Sequence, residues 1–393
     1  MDIWTILYDV VVLLGVGALL GTVAERLKQS AIVGYLVGGA LLGPNMLHMV
    51  ESSEEVLAVS ELGVALLLFA IGLEFSWSRL ARMGRTVLGS GALQVGATLV
   101  IGTVAALLAG LGIRTSLALG AMLALSSTAC VLRVLQSQDD DSPHGEHTLG
   151  VLLVQDISVL PLVLMVTALG AGDSVNEMLL TLGRTALIGS GLIAGLWFVF
   201  QKLVPRLLES APMRNNQELP LLVAIVSGLG SGVAAHAAGI SPALGAFIAG
   251  MLLAESPFAD QARSDVSSLK VVMLALFFSA IGMLADPIWI ASNLTLVLIT
   301  VSSVMLVKAA VVWGAMRAFG VGSTTALATG LSLAQTGEFS FVLADVARGG
   351  LLDHDLFMLV VSTTVITMLL TPTLVARAPR LAGRLVGRRA QAA

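Results

Sequence analysis

Charge is scarce in this sequence. Only 12% of the 393 residues are charged, whereas 56% are hydrophobic. This balance excludes an ordinary soluble protein and indicates a polytopic membrane protein. The single cysteine, Cys130, excludes an intrachain disulfide. No HExxH, P-loop or GxSxG motif occurs, so the sequence predicts that the protein is not an enzyme, and it predicts no cofactor and no nucleic-acid partner.

The apolar runs predict an all-α integral membrane protein with about thirteen transmembrane helices. No Lys or Arg precedes the first run, which therefore lacks the basic start of a cleaved signal peptide. We count that run as a permanent helix. The predicted spans cover residues 4–23, 31–47, 56–74, 84–110, 115–136, 147–170, 179–206, 218–236, 240–254, 268–285, 288–318, 323–347 and 355–377.

The distribution of basic residues predicts the orientation in the membrane. With alternating spans, 17 of the 21 Lys and Arg residues fall on one side and only Arg114, Arg184 and Arg348 on the other, while Lys308 lies inside a span. Because basic residues concentrate in cytoplasmic loops, the N-terminus is predicted outside and the C-terminus in the cytoplasm.

Three stretches of the chain recur at a nearly constant offset. Residues 64–73 match 274–283 and residues 123–128 fall on 333–338, both at an offset of 210, while 34–42 match 245–253 at 211. Seven predicted spans separate each pair, and an odd number inverts the second copy. The sequence therefore predicts inverted-topology repeats, which are typical of secondary transporters.

One carboxylate stands in the middle of a predicted span. Asp156 would lie about 14 Å deep in a bilayer core of ~30 Å. Burying it there costs about 2.5–3.5 kcal/mol on insertion scales, so such residues are usually functional. Two interpretations are open: an Asp paired inside the helix bundle for structural reasons, and a titratable site for a cation or proton.

Two spans that match by the repeat carry polar interruptions, at residues 126–128 and 335–338. Membrane Ser and Thr often only bond to their own backbone. Matching interruptions instead favour two discontinuous crossover helices whose freed carbonyls offer cation ligands. Glu338 would begin a half-helix, where a carboxylate offsets the positive end of the dipole. Lys308, also at mid-membrane, is expected to pair with Asp156 or Glu338 and to compete with a cation for that carboxylate.

The sequence resembles the second monovalent cation:proton antiporter family, and in particular its Kef-type members. Residues 152–161 (LLVQDISVLP) resemble a family helix, residues 334–343 (AQTGEFSFVL) and 126–132 (SSTACVL) its two crossovers, and residues 277–283 (FFSAIGM) a further motif. The resemblance covers essentially the whole chain.

The resemblance implies a single exchanger membrane domain with two parts. A dimerisation part would comprise about 1–80 and 215–287, and a moving core about 84–170 and 288–377. Transport would be elevator-like, and the protein a homodimer in the cytoplasmic (inner) membrane, in contact with lipid.

The resemblance also implies roles for individual residues. Asp156 would be the shared cation and proton carboxylate, and Lys308 its basic neighbour, with Glu338 in charge compensation. Four polar residues would complete the monovalent-cation site: Gln155, Ser127, Thr128 and Thr336.

The expected function is potassium/proton exchange. Gln155-Asp156 carries one formal charge fewer than the Asp-Asp of sodium-handling relatives, which favours the larger, more weakly hydrated ion. Three alternatives stay open: a sodium/proton antiporter, a ligand-gated or channel-like potassium efflux protein without obligate coupling, and a membrane sensor on the same scaffold.

Two features depart from Kef-type proteins. The sequence shows no cytoplasmic nucleotide-binding domain and ends in a basic stretch, residues 377–393. It is therefore either a stand-alone transporter or part of a longer protein, and a separate regulatory subunit is an open alternative. The loop at residues 255–270 lacks the expected histidine, which argues against glutathione gating.

Overall fold

Helices make up most of the residues that the computed structural model describes. It describes residues 3–27, 29–50, 63, 65–70, 72–73, 84–137, 143–170, 183, 187, 190–203, 206, 218–237, 242–256, 259–348 and 350–390. Two predicted spans, 56–74 and 179–206, lie largely outside these residues. The described part contains no β-strand, in agreement with the predicted all-α class.

The helices are numbered in chain order. They are α1 (Ile3–Arg26), α2 (Ala31–Leu42), α3 (Gly84–Leu108), α4 (Ile113–Ala124), α5 (Thr128–Ser137), α6 (Pro143–Gly170), α7 (Glu218–Ala237), α8 (Pro242–Ala254), α9 (Ala259–Leu284), α10 (Pro287–Ser292), α11 (Leu294–Ala318), α12 (Ser323–Ser332), α13 (Glu338–Arg348) and α14 (His354–Ala390). Within the described residues, five helices are long and apolar enough to cross a membrane, namely α1, α3, α6, α11 and α14. Several of the others are shorter apolar helices. The count of thirteen spans stays a prediction.

The chain divides into two compact units. The first comprises residues 1–20, 35–79 and 179–283, and the second residues 21–34, 80–178 and 284–393. Which part of the chain dimerises and which part moves stay predictions.

In the first unit, glycines permit two close backbone contacts. Gly72 and Gly250 pack so tightly that a Cβ on either would overlap backbone of the other's segment, and Gly39 and Gly282 do the same. Small residues allow this approach in membrane proteins. Gly72 and Gly282 are 210 residues apart, and Gly39 and Gly250 are 211 apart. The repeat therefore relates the residues of one contact to those of the other.

In the second unit, two predicted spans are each interrupted. Helix α4 ends at Ala124 and α5 begins at Thr128, and the intervening Leu125 has an extended backbone. Helix α12 ends at Ser332 and α13 begins at Glu338. Both interruptions lie where the polar residues of the sequence predict them.

Candidate functional site

The two interruptions cross each other in the second unit. A Cβ on Gly337 would lie 2.5–2.6 Å from the carbonyl carbon and oxygen of Ser126 and from the nitrogen of Ser127. Such distances are shorter than side chains tolerate, so only glycine allows the two broken segments to approach this closely. The crossing therefore depends on Gly337.

Replacing Gly337 by alanine is expected to destabilise the protein. The added methyl group would overlap the backbone of Ser126 and Ser127. Overpacking of this kind costs about 1–3 kcal/mol or more. The thermal unfolding midpoint of the purified protein measures the effect. Gly314→Ala is the matched control, because a Cβ there has no neighbour within 4 Å. Equal midpoints for the two variants would contradict the tight crossing.

Side chains satisfy the backbone groups freed by the first interruption. The nitrogen of Ser126 donates to Gln155 Oε1 at 2.7 Å, and the oxygen of Ala124 accepts from Gln94 Nε2 at 3.1 Å. Gln155 Nε2 in turn donates to Gln94 Oε1 at 2.7 Å. Because unpaired backbone groups inside a membrane each cost several kcal/mol, this network replaces the missing helical bonds.

Hydroxyl groups do the same at the second interruption. Ser126 Oγ donates to the oxygen of Leu333 at 2.9 Å, which joins one interruption to the other. The nitrogen of Thr336 donates to Thr367 Oγ1 at 3.3 Å, and the Thr336 hydroxyl lies 3.1 Å from those of Thr364 and Thr367. Thr336, a predicted cation ligand, thus bonds to helix α14.

Lys308 connects the two interruptions. Its Nζ donates to the oxygen of Leu125 at 2.8 Å and to that of Gln335 at 2.6 Å, and the residue is 1% exposed. These carbonyls are 210 residues apart, which is the offset of the repeat. Asp156 and Glu338, the two carboxylates expected to pair with Lys308, each have further interactions in the structure.

Lys308 thus bonds to two backbone carbonyls, and its predicted pairing with Asp156 or Glu338 stays a prediction. A long cationic side chain at mid-membrane needs strong acceptors, and two carbonyls at helix breaks supply them. The freed carbonyls of Ala124, Leu125, Leu333 and Gln335 each accept a hydrogen bond from a side chain. Since a carbonyl oxygen can accept twice, their role as cation ligands stays a prediction.

Asp156 lies beside the start of a half-helix. It is 3% exposed at the centre of α6, and its Oδ1 accepts from the Thr128 hydroxyl at 2.9 Å. Thr128 is the first residue of α5, and Ser127 caps that helix, since its Oγ accepts from the nitrogen of Cys130 at 3.2 Å. A carboxylate at a helix N-terminus interacts favourably with the dipole.

The predicted site residues thus have different hydrogen-bond partners in the structure. Asp156 and Thr128 contact each other, and Gln155 and Lys308 bond to the backbone of the interrupted segments. Ser127 caps α5, and Thr336 bonds to α14. Glu338 is the first residue of α13 and is 2% exposed, at the helix start where it was expected. The sequence reasoning missed Gln94, although a lone Gln within a long apolar run was a detectable signal.

Two crossed, interrupted helices beside a buried carboxylate in a membrane-spanning helical protein are the features of a cation/proton antiporter. The chain belongs to the sodium/hydrogen exchanger family, whose transmembrane model matches residues 11–377. Members of this family are transporters rather than enzymes.

Individual relatives agree with this assignment. K(+) efflux antiporter 5 of Arabidopsis thaliana is 32% identical over 370 residues, which cover 93% of this chain and 65% of that relative. The iron transporter MagA of Paramagnetospirillum magneticum is 33% identical over 358 residues, covering 90% of this chain and 81% of that protein. This chain therefore spans less than two thirds of the first relative. The resemblance to potassium efflux antiporters is confirmed.

A solved structure shows the same fold. The sodium proton antiporter MjNhaP1 from Methanocaldococcus jannaschii, at pH 8, has a TM-score of 0.75 and covers 98% of this chain and 100% of that chain. The sequence identity is 16%, so this likeness establishes the fold alone.

Proposed function

We propose that the protein exchanges potassium for protons across the cytoplasmic membrane and that Asp156 binds the cation and the proton in turn. The observation that carries the proposal is the contact between buried Asp156 and the hydroxyl of Thr128 at the start of a half-helix. The carboxylate supplies one negative charge and the hydroxyl a second oxygen. A cation that enters must displace the proton, because a single carboxylate does not accommodate both.

The surroundings of Asp156 support exchange over simple conduction. At both interruptions, backbone groups form hydrogen bonds with side chains of the same compact unit. Such a unit can move as a whole without losing those bonds, as an elevator mechanism requires. The repeated glycine contacts of the first unit support the inverted repeat that such transporters use.

Potassium is the proposed cation because Gln155 contributes no charge beside Asp156. A site with one charge suits a large, weakly hydrated ion and one-for-one exchange. The name of the Arabidopsis relative supports potassium. Sodium, the ion named for the structural neighbour, is the second candidate. Because MagA is named as an iron transporter, iron is a useful competitor in the assay.

Proteoliposomes that contain the purified protein and a trapped pH dye test the proposal. With equal potassium on both sides and valinomycin to hold the membrane potential at zero, an imposed pH gradient should dissipate through the protein. Potassium should support this dissipation at lower concentration than sodium. A channel-like protein would pass rubidium tracer but leave the pH gradient intact under these conditions, and that result would overturn the proposal.

A further inference from the structure

Gln94 is a buried amide in a membrane helix whose hydrogen-bonding capacity is largely committed to other elements. It is 0% exposed in α3. Its Nε2 donates to the oxygen of Ala124 at 3.1 Å and to Thr98 Oγ1 at 3.1 Å, and its Oε1 accepts from Gln155 Nε2 at 2.7 Å. Burying an amide is favourable only when it is bonded in this way.

The bonds form a chain with a single direction. Gln94 donates to Ala124 and accepts from Gln155, and Gln155 accepts from the nitrogen of Ser126. Because the oxygen of Ala124 can only accept and the nitrogen of Ser126 can only donate, the orientation of both amides is determined. Gln94 therefore holds Gln155 with its oxygen on the interruption between α4 and α5.

The interrupted segment leads directly to the cation site. Two residues after Ser126, Thr128 begins α5 and donates to Asp156 at 2.9 Å. Gln94 and Gln155 thus hold Ala124 and Ser126 in place. Thr128, whose hydroxyl contacts the carboxylate, lies two residues further along the chain. A binding group that is held in place by hydrogen-bonded neighbours becomes less ordered when those neighbours are removed, and the ligand then binds more weakly.

We propose that Gln94 is a positioning residue of the exchange site, which acts through Gln155 to hold the interrupted segment so that Thr128 stays on Asp156. This inference rests on the proposed exchange at Asp156. Gln94 itself does not touch the cation. It determines how well ordered the oxygens around the cation are, and hence the affinity for potassium.

Kinetics of Gln94→Met in proteoliposomes test the inference. Methionine keeps the length and removes all three hydrogen bonds of the Gln94 side chain. The KM for potassium should rise about tenfold, equivalent to about 1.4 kcal/mol, while kcat stays within about twofold. Ser90→Ala is the matched control on the same helix, because Ser90 is also buried and, among the described residues, its side chain bonds only to the oxygen of Val87 in its own helix. It should leave KM unchanged.

A double-mutant cycle with Gln155→Met separates this role from simple support of α4. If Gln94 acts through Gln155, the double variant should have a KM close to that of the more impaired single variant. Effects that multiply would show that Gln94 acts independently of Gln155 and would overturn the inference. Should Gln94→Met not fold, Gln94→Asn keeps an amide that is one methylene shorter, and it should raise KM by a smaller factor.

The two proposals fail differently. If the parent protein shows no cation-dependent proton movement, the proposed function is wrong and this inference with it. If the parent exchanges ions and Gln94→Met has the parent KM, only the inference is wrong, and a lowered thermal midpoint would then give Gln94 a purely structural role.

Discussion

Replacing Asp156 by asparagine is expected to abolish cation-dependent proton exchange. Asparagine keeps the shape of the side chain and an oxygen for the Thr128 hydroxyl, but it carries neither the charge that binds a cation nor a titratable proton. Loss of a group that transfers the proton typically costs about 10²–10⁴-fold in rate. We therefore expect a loss of at least about a hundredfold, measured with the trapped pH dye.

The control for this variant is the same change at another buried aspartate. Asp9 lies in α1 and is 4% exposed, so Asp9→Asn removes a buried carboxylate from a different helix. It should retain exchange. Parent-like exchange by Asp156→Asn would show that the proton and the cation use another group.

Competition at one carboxylate also determines the effect of pH on the parent protein. Protons and potassium exclude each other from Asp156, so the apparent KM for potassium should rise as the pH falls, by at most about tenfold per pH unit. The maximal rate at saturating potassium is expected to vary less. An apparent KM that is constant over the pH range in which exchange itself varies would argue for separate cation and proton sites.

Replacing Lys308 by methionine is expected to be the most destabilising of these changes. The substitution leaves the oxygens of Leu125 and Gln335 without their donor inside the membrane unit. Unsatisfied buried acceptors cost about 1–3 kcal/mol each, so we expect a loss of about 2–6 kcal/mol of stability. The thermal midpoint of the purified protein measures it. Lys202→Met, the same change at an exposed lysine, should have little effect.

A cycle between these two sites tests which partner Lys308 has. If Lys308 bonds to the carbonyls, the effects of Lys308→Met and Asp156→Asn on the free energy of unfolding should add. If instead Lys308 and Asp156 form an ion pair, removing the second partner should cost much less than removing the first. The predicted role of Lys308 in coupling is tested separately, by exchange in Lys308→Arg.

Gln155 shows why the predicted ion ligands need this kind of test. Its oxygen already accepts from Ser126, and its amide group donates to Gln94. A role as a cation ligand stays a prediction, since an amide oxygen has two lone pairs and can accept twice. Ser127 and Thr336 are in the same position, because each hydroxyl is bonded within the interrupted segments or to α14.

The amino-acid sequence by itself determined the membrane class, the place of Asp156 at the middle of a long apolar helix and the two interruptions. Hydropathy and helical rise follow from the order of residues alone, and Ser126, Ser127 and Gly337 mark breaks because they favour non-helical backbone. Glu338 at a helix start was likewise predictable from local chemistry.

Only the tertiary structure decided which groups meet across helices. Lys308 lies 183 residues from Leu125, and Gln94 lies 61 residues from Gln155, so their contacts depend on which helices pack together and at what rotation. A single sequence shows whether a side chain is polar, but it does not show which group that side chain contacts in the folded protein. The carbonyls at the interruptions could therefore compete with Asp156 for Lys308, and in the folded chain they are the groups that Lys308 contacts.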